Sequence, residues 1–223
     1  MVQNSPARRG RPRAYDPDAA LARAVDAFWD AGYAATSLDD LSQATGMNRP
    51  SLYGAFGDKQ ALYRQALDLY IARTRAALAE AFGADVPLRS ALRRVYDAAI
   101  SIYLSGENGA RGCFIISTAV AQAVADPDVR ATLADVLREI DAAFAARLRA
   151  GQRSGELSGD ADPVKLAKLA SATLYSLTIH ARAGEGRAGL DAIADAAVDL
   201  ICGLSVAAGN GGAGKRATKK RPR

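Results

Sequence analysis

Cysteine is scarce in this chain, and so are the other residues from which catalytic and metal sites are made. Two cysteines, Cys113 and Cys202, lie far apart and match no ligand spacing. Neither a disulfide framework nor a zinc site is indicated, and the chain reads as cytoplasmic. His180 is the only histidine, which excludes a repeated acid–base array; there is also no H-E-x-x-H and no phosphate-binding glycine loop. No catalytic residue, metal or cofactor is therefore indicated, and an enzyme on this scaffold has little support. No apolar run reaches the roughly 18 residues that a membrane span needs. The N-terminus lacks the apolar segment of a signal peptide, so no membrane partner is expected. Strand patterns are missing throughout.

What remains is rich in alanine and helical spacing. With 223 residues, 49% of them hydrophobic, the chain can bury a sizeable core and hold one large or two small domains. Its net charge of +5 hides a division: Arg8, Arg9, Arg11 and Arg13 near one end, and Lys215, Arg216, Lys219, Lys220, Arg221 and Arg223 at the other, face no acid in either end segment. The body is acidic. Residues 1–14 read as a flexible basic arm suited to a DNA backbone or minor groove, and 208–223 as a glycine-led, disordered basic tail.

Ser37 to Lys59 organises the rest. Leu38 and Leu41 sit one helical turn apart, Gly46 can take a left-handed turn, and Leu52 and Phe56 restart the spacing. That is a helix-turn-helix. Asn48 can cap its second helix, which then presents Arg49, Ser51, Tyr53 and Gly54 outward as a small, donor-rich face suited to a DNA major groove. Ahead of it, Asp16-Pro17 starts a helix running to Gly32, with Leu21, Val25, Phe28 and Trp29 on one core-facing side. Of Thr36 and Ser37, one hydroxyl can cap the next helix and the other can reach a phosphate. Lys59 opens a long helix to about Phe82, placed for phosphate contact.

The run T-S-L-x-D-L-S-x-A-T-G-M-x-x-x-S-L-Y-x-x-F-x-D-K-x-x-L-Y, preceded by a capped helix, resembles the N-terminal domain of the tetracycline-repressor (TetR) family of bacterial transcription regulators. It spans Asp16 to about Tyr63. The resemblance implies an all-α homodimer of about nine helices per protomer, with a small molecule that releases DNA. It places DNA contacts at Thr36, Ser37, Asn48, Arg49, Ser51, Tyr53 and Lys59. The chain departs from the family pattern at Gly54-Ala55, where many members carry an aromatic and a histidine. The expected architecture is a three-helix DNA-binding domain over 15–62 and a larger helical effector-binding and dimerisation domain over 63–207.

Beyond residue 63 the reading returns to spacing. Helices are predicted over about 88–104, from Gly112-Cys113-Phe114 to about Val124, and from Asp126-Pro127 to about Arg153. An effector cavity between them would draw on Tyr96, Ile100, Tyr103, Phe114, Ser117, Ala121, Phe144 and Tyr175, a set poor in charge that suits a mostly apolar ligand. Plain core packing is the competing role for each. The last two helices, about 163–183 and 188–206, carry stripes (Leu166, Leu169, Ala170, Thr173, Leu174, Leu177; Leu190, Ile193, Ala194, Ala197, Val198, Ile201) that either form a dimer's four-helix bundle or face their own core. Family resemblance favours the dimer.

The chain thus reads as a sequence-specific DNA-binding regulator, a homodimeric repressor released from a palindromic operator by a small effector. One alternative is the same fold acting as a redox or electrophile sensor through Cys113, should a helix N-terminus favour its thiolate; a buried, inert thiol is the competing reading. Another is an architectural protein that coats DNA through its tails.

Overall fold

The computed structural model describes residues 16–83, 85–106 and 109–203. The basic arm and tail lie outside the described residues. Three helices start alike, on an aspartate followed by proline: α1 (Pro17–Ala31), α7 (Pro127–Arg153) and α8 (Pro163–Arg182). In each, the aspartate carboxylate accepts two backbone N–H bonds, while proline's missing N–H costs nothing at the first helical position. The remaining helices are α2 (Leu38–Thr45), α3 (Arg49–Phe56), α4 (Lys59–Ala81), α5 (Leu88–Tyr103), α6 (Val120–Gln122) and α9 (Arg187–Cys202). Among the described residues there is no strand.

The chain reaches α6 through a π-helical segment, Ile115–Ala119, where spacing alone predicts one continuous apolar helix. Ser117 and Thr118 donate their hydroxyls to the carbonyls of Arg111 and Phe114. Side chains thus satisfy part of the first turn that a regular ladder would otherwise claim.

α1, α2 and α3 pack as a small unit on the start of α4, which continues without a break through residues 62 and 63 into the larger unit. There α7 and α8 pack along their length, and α9 lies on α5 and α8. Val25, Phe28 and Trp29 of α1 are buried, as the spacing predicts, while Leu21 is only partly buried and packs against the core beside the fully buried Ala20.

The stripes expected at a dimer surface are for the most part turned inward. Ala170, Leu174, Leu177, Leu190, Ala194, Val198 and Ile201 are buried against α5 and α7 or between α8 and α9. The large apolar residues left bare on these helices are Val164, Leu169 and Ile179 on α8 and Leu200 on α9; of these only Leu169 belongs to the expected stripes, and Ile179 and Leu200 are 62% and 68% exposed. Each helix has apolar residues on two sides, and periodicity along one helix does not say which side its neighbours take.

Candidate DNA-reading head and effector cavity

Short-range capping builds the reading head. Ser37 Oγ accepts from the Asp40 amide at 3.1 Å, and the Asp40 carboxylate accepts from the Ser37 amide and hydroxyl, both at 2.7 Å. The resulting capping box fixes the start of α2, and the donated bonds hold the exposed Asp40 carboxyl below its usual range. Gly46 ends α2 in the left-handed conformation (φ 69°), which only glycine adopts without strain. Asn48 Oδ1 then accepts from the Ser51 amide at 2.9 Å and starts α3.

Asn48, Arg49 and Tyr53 are exposed along α3, Ser51 is half-buried, and Leu52 and Phe56 anchor the opposite side in the core. Arg49 holds Asp39 of α2 through two N–H bonds at 2.7 and 3.0 Å. Lys59, the first residue of α4, sits 4.5 Å over the Tyr33 ring. Burial there draws its ammonium pKa down, while the Asp40 carboxylate acts the other way.

Thr36 departs from the expected set. It is 1% exposed and its hydroxyl donates inward, to the Gly32 carbonyl at 2.7 Å and the Ala27 carbonyl at 3.3 Å. It ties the end of α1 to the start of α2 and offers nothing to a phosphate. Ser37 is exposed beside it. Tyr33, the ring beneath Lys59, escapes sequence reasoning because it follows Gly32 outside any periodic run.

A cavity of about 300 Å³ lies in the larger unit, among α4, α5, α7, α8 and the segment before the π turn. Tyr103 and Tyr175 line it, as the candidate set has it. Tyr96, Ile100, Phe114 and Phe144 are fully buried and do not line it; they are the packed core around it. Tyr96, for example, spends its hydroxyl on the Ala170 carbonyl at 3.1 Å. Ser117 is bonded to Arg111, and Ala121 is exposed on α6. Spacing overlooks the wall residues Tyr70, Arg111 and above all Trp29, which belongs to α1 of the reading head. A second hollow, a more open groove of about 670 Å³ between α4 and α7, shares Thr74, Leu78 and Ile140 with the first.

The family model described as "Bacterial regulatory proteins, tetR family" matches residues 20–66, and that described as "Tetracyclin repressor-like, C-terminal domain" matches 88–197. The HTH-type transcriptional repressor ComR of Escherichia coli (strain K12) is 36% identical over 177 residues, which are 79% of this chain and 84% of ComR. The chain belongs to the TetR family. Among solved structures, the TetR-family regulator CifR, as a cysteine mutant complexed with a 26-bp double-strand operator DNA, superposes with a TM-score of 0.76 at 30% identity. That match covers 86% of this chain and 100% of CifR. The reduced form of E. coli NemR shares the fold alone, with a TM-score of 0.74 at 17% identity over 85% of this chain and 98% of NemR. This TetR-family protein is accordingly a DNA-binding transcriptional regulator, and the family is one of regulators rather than enzymes.

Three groups of contacts in this TetR-family chain join the reading head and the start of α4 to the larger unit, and the first of them lies on the cavity wall. Trp29 Nε1–H donates to the carbonyls of Arg111 and Gly112 at 3.2 and 3.1 Å, and the Arg111 guanidinium lies 3.9 Å over the indole while pairing with Asp26 at 2.9 Å. The Tyr63 hydroxyl meets Thr118 Oγ1 at 2.8 Å; since Thr118 donates to Phe114, Tyr63 is the donor. Finally, Gln60 and Arg64 of α4 both donate to the Asp126 carboxylate at the start of α7.

Cys113 lines the same cavity, half-buried, and accepts from the Tyr70 hydroxyl at 3.8 Å. Burial pushes its thiol pKa up, and this outweighs the amides of Ile116 and Ile115 that act the other way. The thiol form is favoured at neutral pH. Burial raises the Cys202 thiol as well.

Proposed function

We propose that this regulator is a homodimeric repressor whose hold on a near-palindromic operator is broken by a small, mostly apolar effector bound in the 300 Å³ cavity. The observation that carries this reading is Trp29: one side chain is both core of the reading head and wall of the cavity. A molecule that enters touches the element that orients α2 and α3. The effector must bind better when Trp29, Arg111 and their neighbours sit as they do in the DNA-incompetent arrangement; without that difference in affinity nothing shifts.

Asn48, Arg49, Ser51, Tyr53, Ser37 and Lys59 are the DNA contacts in this reading, with α3 in the major groove. Two copies would pair through the bare apolar sides of α8 and α9, with Leu169, Ile179 and Leu200 buried in a four-helix bundle. The two α3 helices would then meet half-sites about 34–36 Å apart, or a multiple of that. The chain lies in the cytoplasm with its DNA.

Compounds that release the protein from immobilised operator test this against the thiol-sensor alternative. Leu78→Trp, which fills the wall between cavity and groove, should abolish release, whereas Cys113→Ser should leave it intact and reversible on dilution. Loss of release in Cys113→Ser alone would transfer the function to the thiol.

A further inference from the structure

The cavity's polar lining is one-sided. Its polar wall residues are Tyr70, Tyr103, Tyr175, Arg73 and Arg111, with Thr74 and Ser105, whose hydroxyls donate to the carbonyls of Tyr70 and Ile102, and no carboxylate lines it among the described residues. The three phenols are protonated donors, because burial lifts each above its ordinary value. Tyr70 is bonded to Cys113. The Tyr175 hydroxyl and the Arg111 Nε–H, in contrast, are buried with no partner at full hydrogen-bond geometry among the described residues; Ser171 lies near enough to Tyr175 to act on its pKa, but its own hydroxyl donates to Asp141. Buried donors are nearly always satisfied, and leaving one unpaired destabilises the fold. Two orphans on one cavity call for an acceptor from outside.

We infer that the cavity takes a small molecule with an apolar body and one oxygen acceptor, a carbonyl or a carboxylate, received by the Tyr175 hydroxyl. The inference rests on the effector-cavity reading above and names its ligand class. The volume, near the lower end for ligand pockets, suits a body about the size of a six-membered ring, packed against Val95, Ile115, Leu137 and Ile140. An amine is refused: it would bring further donors and a positive charge beside two guanidinium groups with no carboxylate on the wall to receive them. Arg111 is already paired with Asp26 and lies 3.8 Å from Asp30, so a neutral carbonyl needs no counter-charge, while its free Nε–H can still assist a carboxylate.

The chain reports on its own cavity, since Trp29 is the single tryptophan and stands on the wall. Cyclohexyl methyl ketone, cyclohexanecarboxylate and cyclohexylmethylamine, none of which absorbs strongly where indole is excited, are titrated into the full-length protein while its emission is followed, with the ketone's weak absorption corrected against free tryptophan. The ketone or the carboxylate should shift Trp29 emission saturably and bind at least about tenfold tighter than the amine. Tyr175→Phe, which keeps shape and loses only the donor, should weaken that acceptor by about five- to tenfold, the share of one hydrogen bond. A ketone that outbinds the carboxylate assigns reception to the phenol alone; the reverse order adds Arg111. Equal binding of the amine, no shift with either acceptor, or unchanged affinity in Tyr175→Phe would overturn the inference. The same samples are probed for operator release: acceptor binding that leaves the DNA bound sinks the effector reading and leaves the ligand class standing.

Discussion

Replacing Trp29 with phenylalanine perturbs the joint between reading head and cavity while keeping an aromatic ring in the core. The indole N–H bonds to Arg111 and Gly112 are lost; at about 0.5–1.5 kcal/mol net for a buried bond, this is the larger loss. The Arg111 carbonyl keeps two other donors, Arg182 at 3.0 Å and Ser117 at 3.2 Å, so it is not orphaned. The guanidinium above the ring, partly desolvated, loses part of a cation–π contact worth roughly 0.5–2 kcal/mol over an indole. The edge-on contact with Tyr70, 4.9 Å between centroids, survives in weaker form. The sum is about 2 kcal/mol, which for a chain of this length lowers the midpoint of thermal unfolding by about 4–8 °C. Circular dichroism at 222 nm reads that shift without a tryptophan. In parallel, operator affinity without effector should stay near the wild-type value while the effector concentration needed for release rises, because the variant folds but transmits less. A midpoint within 1 °C of wild type, or an unchanged effector response, would refute the argument that this indole ties the two units together.

Four further outcomes follow from the same geometry. Ile179→Glu with Leu200→Glu puts charge on the most exposed apolar position of α8 and of α9 and should convert the proposed dimer to monomer in analytical ultracentrifugation, with operator binding lost; a dimer that persists would place the interface elsewhere. Gly54 lies mid-helix in α3 with open space where a Cβ would stand, so Gly54→Ala should stabilise by about 0.5–1 kcal/mol and raise the thermal midpoint by about 1–4 °C. Lys59→Ala should weaken operator binding and reduce the slope of log affinity against log salt by about 0.9 for each phosphate contact removed, an effect absent if Lys59 only covers Tyr33. Asp126 is held at a pKa of about 2 against the ordinary 3.8, chiefly by the Gln60 hydrogen bond. A carboxyl lowered in the folded state stabilises fully above its ordinary value and loses that contribution as pH falls toward 2. Asp126→Asn should therefore be less stable than wild type at pH 6, with the gap closing through that window; a gap independent of pH would show that the charge is not what holds α4 to α7.

Much of the frame is legible in the residues because its signals are local. Asp-Pro pairs start α1, α7 and α8, Ser37 and Asp40 close a capping box, and Gly46 turns the chain, each within four residues of its partner. The candidate cavity is legible only in part. Spacing marks Tyr96, Tyr103, Phe114 and Tyr175 alike as inward-facing, but whether an inward ring meets another ring or a void depends on helices far off in sequence. Thus Phe114 lies against Trp29, Tyr63 and Tyr70, while Tyr175 stands on the cavity wall. Trp29 shows the same limit from the other side: its periodicity announces burial, not that its neighbour is Arg111, contributed by a loop more than eighty positions away. Thr36 misleads for a simpler reason, since a hydroxyl before a helix can cap, reach outward or, as here, fold back on the preceding turn.

The decisive measurement is selection of genomic DNA fragments by the purified full-length protein at near-physiological salt, followed by sequencing. A ligand-released dimeric repressor predicts one enriched near-palindrome with half-sites a helical turn or a multiple apart, and its loss from the bound pool when the effector is added. Uniform recovery of fragments without a motif would contradict sequence-specific repression and assign the affinity for DNA to the basic arm and tail.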